Sequence, residues 1–276
     1  MKYYQKRSAF SMLELVFVIV VLGIVASIGA EMIAKVYESY IVQRAEHRAT
    51  IKTELAATQI ANRLASAIPG TVFRRTLRSG GTIENVNDYM SLNGDSYRVL
   101  QWVGADTEGF NASSTPGWSG FCDIIASTKH SIITRGSNLA LEDALVTNFG
   151  FNNNKFAIYF PYDTTPYYGS RSGTSTILLD NNASHIVEHY KLARTSYALV
   201  CENGGTNYCG DLTLYYNFIP TPAVNIPNAA KKSVLLKNVT TFKFKGAGRT
   251  IRFKVCKEEP ISEDVNVTAC KEKAVF

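Results

Sequence analysis

The sequence predicts an α+β chain, one long N-terminal helix followed by a mainly β head. Three observations carry this. An apolar run opens the chain and holds no charge from Leu15 to Ala30. A helical pattern free of glycine and proline continues from Glu31 to Ile68 and stops at Pro69-Gly70. Beyond it, short stretches of alternating apolar and polar residues lie between Gly, Asn, Ser and Pro clusters, the texture of strands and turns.

The first element is residues 10–30. With Phe10 to Leu13 added, the apolar run approaches the ~20 residues that cross a bilayer. Its one ionisable group is Glu14. A carboxylate at the centre of a membrane helix costs roughly 2.5–3.5 kcal/mol on insertion scales, and less near an end, so Glu14 asks for a purpose. Lys2, Lys6 and Arg7 precede the run and hold the N-terminus in the cytoplasm, which sends the head across the membrane. An uncleaved signal anchor explains the basic flank but not Glu14. A secretory signal needs a small-residue cut after its core; Ser27 and Gly29 offer a poor one, and the run is long.

The second element is residues 31–68. Ile33, Tyr37, Tyr40, Ile41, Ile51, Leu55 and Leu64 recur at spacings that share a helix face, while Lys35, Glu38, Arg44 and Glu46 fall mostly elsewhere. This amphipathic continuation gives one helix from about Phe10 to Ile68, roughly 90 Å at 1.5 Å per residue.

The head is residues 69–276. Candidate strands are Tyr97–Val103, Lys155–Phe160, Ser175–Leu179, Tyr197–Val200, Leu212–Phe218 and Ser233–Leu236. The clearest hairpin spans 241–255: Phe242 and Phe244 alternate with Lys243 and Lys245, then Ile251, Phe253 and Val255 with Arg252 and Lys254. An antiparallel sheet packed on the second half of the helix is expected. Residues 104–120 and 161–174 read as long loops.

Four of the five cysteines form two close pairs, Cys201/Cys209 and Cys256/Cys270, neither with metal-site spacing. In an exported domain these read as local disulfides, each contributing roughly 2–3 kcal/mol on the chain-entropy account. Cys122 is left over as a buried thiol. The net charge of +6 is not a nucleic-acid signature, because Lys2, Lys6 and Arg7 supply three of the 29 basic side chains.

The segment MKYYQKRSA-FSMLELV resembles the N-terminal motif of type IV prepilins and type II secretion pseudopilins. Lys2, Lys6 and Arg7 match the basic leader, Ala9 the small residue at the cut, Phe10 the first mature residue and Glu14 the fifth. Ala9 stands where the family usually has Gly, and Glu31 where major pilins often have a kinking Pro. The resemblance implies a pilin-like fold with a leader at residues 1–9, cleavage between Ala9 and Phe10 by a prepilin peptidase, and N-methylation of Phe10. It also implies storage in the bacterial inner membrane, a periplasmic head, and assembly with other pilin or pseudopilin subunits, Glu14 pairing with a neighbour's N-terminal amine. Gly23 and Gly29 would allow close helix approach. The strand LLKNVTTFKF at 235–244 loosely resembles minor pseudopilins of the J type.

Other chemistry is thinly supported. His185-Ile-Val-Glu188-His189 fits the inverzincin string, in which two His on one helix face hold zinc, but no third ligand stands out; a membrane-anchored zinc hydrolase is a remote alternative. Lys243, Lys245, Arg252 and Lys254, with Arg74, Arg75 and Arg78, would serve a DNA-uptake pilin; a solvated face is the preferred reading. Asp88, Asp95, Asp106 and Asp123 lack the calcium-loop arrangement. A structural subunit without catalysis, cofactor or metal is expected.

Overall fold

The computed structural model describes residues 11–112, 114–149, 156–205, 208–262 and 265–276. Lys2, Lys6, Arg7 and Ala9, expected to belong to a leader, and Phe10, the expected first mature residue, lie outside them.

One unbroken helix, α1 (Met12–Ala65), carries both expected halves. Its 54 residues reach roughly 81 Å at 1.5 Å each. Ser11 caps it, its side chain accepting from the Glu14 backbone N–H, which satisfies one of the orphan donors of the first turn. The helix ends three residues before Ile68, where the Ala67 N–H donates to the Leu64 carbonyl and Ala67 bridges Gly104.

The head is one antiparallel sheet. Its strands are β1 (Phe73–Arg75), β2 (Ile83–Asn85), β3 (Val99–Ala105), β4 (Ser131–Ile133), β5 (Phe156–Tyr159), β6 (Tyr167–Arg171), β7 (Thr176–Leu179), β8 (Lys191–Glu202), β9 (Gly210–Phe218), β10 (Lys231–Ala247), β11 (Thr250–Pro260) and β12 (Asn266–Val275). The main path runs β12-β11-β10-β9-β8-β5-β6-β7-β4. β8 is the hub. One edge of it takes β5 at Lys191–Ala193 and β9 further along; the other takes β3, which carries β1 and then β2. Two helices, α2 (Thr107–Phe110) and α3 (Leu139–Phe149), sit among the loops.

The hairpin alternates as expected: Phe242, Phe244, Ile251, Phe253 and Val255 are buried, and Lys243, Lys245, Arg252 and Lys254 are exposed. These apolar residues join Leu100, Trp102, Leu199 and Leu214 in the core that receives α1. A second core, around Trp118, Ile132, Leu139, Phe156 and Tyr190, lies under β4 to β7. Disulfides join Cys201 to Cys209 and Cys256 to Cys270, the latter across a register pair of β11 and β12. The Cys122 thiol is buried and free, and desolvation raises its pKa.

Three expectations need correction. The segment 161–174 is not one long loop, since β6 lies within it, and α2 lies within 104–120. The face of α1 against the head is built from Ala49, Thr53, Ala56, Ala57, Ile60 and Leu64. Ile51 and Leu55, expected to share a face with Leu64, are 45% and 59% exposed, whereas Leu64 is buried. At 100° per residue Ile51 and Leu55 lie about opposite Ala49, Ile60 and Leu64, so the side of the helix rather than the size of the residue decides burial.

Candidate functional site

The candidate site is the free part of α1. From Ser11 to Ala30 all residues except Gly29 are classed as exposed, with Leu13 at 82% and Phe17 at 70%. A helix apolar all round belongs in a membrane or a helix bundle. Residues 12–30 span roughly 28 Å at 1.5 Å each, close to the ~30 Å hydrocarbon core. Glu14 is the one ionisable side chain from 11 to 30. It sits in the first turn, where the positive helix terminus favours a carboxylate. No described residue partners that carboxylate. Gly23 and Gly29 meet nothing within 4 Å where a Cβ would lie, so both leave open notches on the helix surface.

The next part of α1 has two sides. At 100° per residue, Ile33, Tyr37, Tyr40, Ile41, Ile51 and Leu55 form one apolar stripe about opposite the face that meets the head. All six remain exposed. The head grips the other side. Glu54 pairs with Lys271 at 2.7 Å and Lys273 at 2.8 Å, and Lys273 also donates to Thr58 at 2.8 Å. Hydrogen bonds from the two lysines pull the Glu54 pKa down to about 2.

The chain matches no protein-family model, no curated protein and no solved structure.

The other sequence candidates do not converge. His185, Glu188 and His189 lie in irregular backbone between β7 and β8, and the His189 ring rests 4.7 Å from that of Phe121. The helix face that an inverzincin string needs is absent there, and among the described residues no three His, Cys, Asp or Glu are placed to hold a metal. Arg74 and Arg75 are 1% and 0% exposed, so they cannot reach a phosphate. Arg74 donates to Glu84 at 2.8 Å, and Arg75 to Gln101 at 3.0 Å and Asn225 at 2.5 Å. Arg78 is spent on Tyr215 and Asn228. Of the hairpin cations, Lys243 is paired with Asp95 at 2.9 Å. Asp106 and Asp123 pair with Arg194 and Arg135, and the Asp88 carbonyl accepts from Arg74.

Sequence reasoning missed one buried cluster. Arg194 on β8 donates to Glu142 on α3 from Nε at 2.9 Å and from Nη2 at 2.7 Å, and its Nε lies 3.4 Å from Asp106 Oδ2. A Cβ on Gly109 or Gly117 would collide with Glu142 Oε1, so these glycines make the room. Glu142 Oε1 and Asp106 Oδ2 accept no hydrogen bond when both are read as acceptors, although Asp106 Oδ2 keeps its ion pair with Arg194. A proton on Glu142, donated to Asp106, satisfies both. Burial first, then the Asp106 charge, push the Glu142 pKa up to about 8. The only sequence signal was the pair of acids Glu142-Asp143 in an otherwise apolar segment.

Proposed function

We propose that this chain is a prepilin-like structural subunit. It is cut between Ala9 and Phe10 by a prepilin peptidase, methylated on Phe10, held in the inner membrane with its head in the periplasm, and assembled into a pilus or pseudopilus through α1. One observation carries this reading: a long apolar helix stands clear of its own head and presents a lone carboxylate at Glu14. A bilayer covers residues 12–30 before assembly. In the filament, neighbouring helices cover them and the stripe from Ile33 to Leu55. The two disulfides fit an oxidising compartment.

Mass spectrometry of the protein from cells with an active prepilin peptidase tests this. An N-terminal methyl-Phe10 is expected; a chain still beginning at Met1 would reject the reading. The stripe gives a second test. Leu55→Asp places a charge on the side away from the head, so head stability should change by no more than about 0.5 kcal/mol. Incorporation into filaments should fall at least tenfold, scored as the filament-bound fraction of processed protein.

A further inference from the structure

At the C-terminal end of α1, far from its free apolar half, lies a cavity of about 790 Å³. That is within the usual range for small-molecule sites. Ala65, Ser66 and Ile68 to Gly70 form part of it, and rings make up about half of the rest, among them Phe110, Trp118, Tyr159, Tyr190 and the imidazole of His189. No Asp, Glu, Asn or Gln lines it. Two cations do, Lys191 and Arg249, and both also line an adjoining cavity of about 180 Å³. Both therefore border the place where the two cavities meet. Among the described residues neither has a carboxylate partner. Both residues are exposed, and the protein around Lys191 desolvates it only in part, which lowers its pKa.

Tyr162 marks the rim. The Asp163 N–H donates to the Phe160 carbonyl at 3.2 Å, closing a turn with Pro161 and Tyr162 at its centre. Tyr162 has φ +66°, a position that turns of this kind reserve for Gly or Asn. Its side chain is fully exposed at 102%, so the fold gains nothing from it in return for a strained backbone. Strain without a packing return is found at ligand clamps.

We propose that this cavity binds a small amphiphilic carboxylate, its apolar or aromatic body against the aromatic wall and its anionic head between Lys191 and Arg249. A sugar would need the carboxamides and carboxylates that the wall lacks, and a cationic ligand would meet two like charges. The inference stands independently of the filament reading, since it uses nothing of the free apolar half of α1.

The test uses the full chain in lipid nanodiscs, with empty discs as reference. The probes are 4-(4-fluorophenyl)butanoate and its methyl ester, followed by ¹⁹F NMR. Saturable binding of the acid is expected. Lys191→Gln with Arg249→Gln should weaken the acid roughly tenfold or more, the loss of charge-assisted hydrogen bonds, and leave the ester within about twofold. Tyr162→Gly should weaken both probes without lowering Tm, because it relieves the backbone. Equal loss of acid to wild-type, variant and empty discs would overturn the proposal. So would a glutamine variant, folded by its Tm, that binds the acid as tightly as wild type. Unchanged binding to Tyr162→Gly would remove Tyr162 from the site.

Discussion

Glu14→Val should be cleaved and methylated like the parent chain and yet be lost from filaments by about a hundredfold or more. The carboxylate is the one charge in the apolar half of α1, and no described residue partners it. Valine makes membrane insertion easier by roughly 2.5 kcal/mol or less, so the variant accumulates in the bilayer. In the helix bundle the same change strands the amine that Glu14 is proposed to pair with. Removing one partner of a buried ion pair costs about 3–5 kcal/mol, and 1.4 kcal/mol is a factor of ten. Shearing filaments from cells and comparing the processed protein in filament and membrane fractions measures the effect. Normal incorporation of the valine variant would refute the pairing while leaving the membrane anchor intact.

The head should lose stability as pH rises through neutrality, and Glu142→Gln should remove most of that dependence. Burial and Asp106 raise the Glu142 pKa to about 8 in the folded chain, against about 4.3 unfolded. Between those values the folded state binds one more proton, so stability is greatest at the acid end and declines by up to about 1.4 kcal/mol per pH unit. From pH 5 to pH 7 that is a loss on the order of 2–3 kcal/mol. Thermal unfolding of the chain in detergent, followed by near-ultraviolet circular dichroism across this range, checks the slope. A flat profile for the parent chain would mean that Glu142 is ionised beside Arg194. Arg194→Met provides the complementary case: it leaves Glu142 and Asp106 buried without their cation and should cost about 3–5 kcal/mol. The consequence reaches the aromatic cavity, because the Asp106 carbonyl holds the Trp118 indole at 2.8 Å.

The parts legible in the sequence were those with a one-dimensional signature. The apolar run, the glycine-free continuation and the stop at Pro69-Gly70 gave a helix that in the structure ends at Ala65. Strict alternation in 241–255 gave the hairpin and its two faces, and the structure adds the register, Phe242 opposite Val255 and Phe244 opposite Phe253. β12 was missed for a physical reason. Its residues facing α1 include Lys271 and Lys273, which meet Glu54 rather than a greasy surface, so no apolar alternation announces the strand. The buried face of α1 was misjudged because Ala49, Ala56 and Ala57 carry little hydrophobic weight in a pattern, whereas Ile51 and Leu55 dominate it. Arg74 and Arg75 looked like surface cations because their partners, Glu84, Gln101 and Asn225, are distant in sequence. The aromatic cavity draws on residues from 65 to 249, a convergence that only the folded chain displays.

The two disulfides also set how the molecule would respond to a pulling force. One bridge ties β8 to Cys209, just before β9, the other ties β11 to β12, and the first cysteine in the chain is Cys122. No bridge can therefore fasten α1 to the head. Under tension along the helix, the contact that must bear the load is the alanine seat with its Glu54 clasp, while two local loops of the sheet stay locked. The weakest link then lies between spine and head: α1 would slip from its seat before either disulfide loop opened, and relaxation could restore the seat from a head whose cross-links had stayed intact.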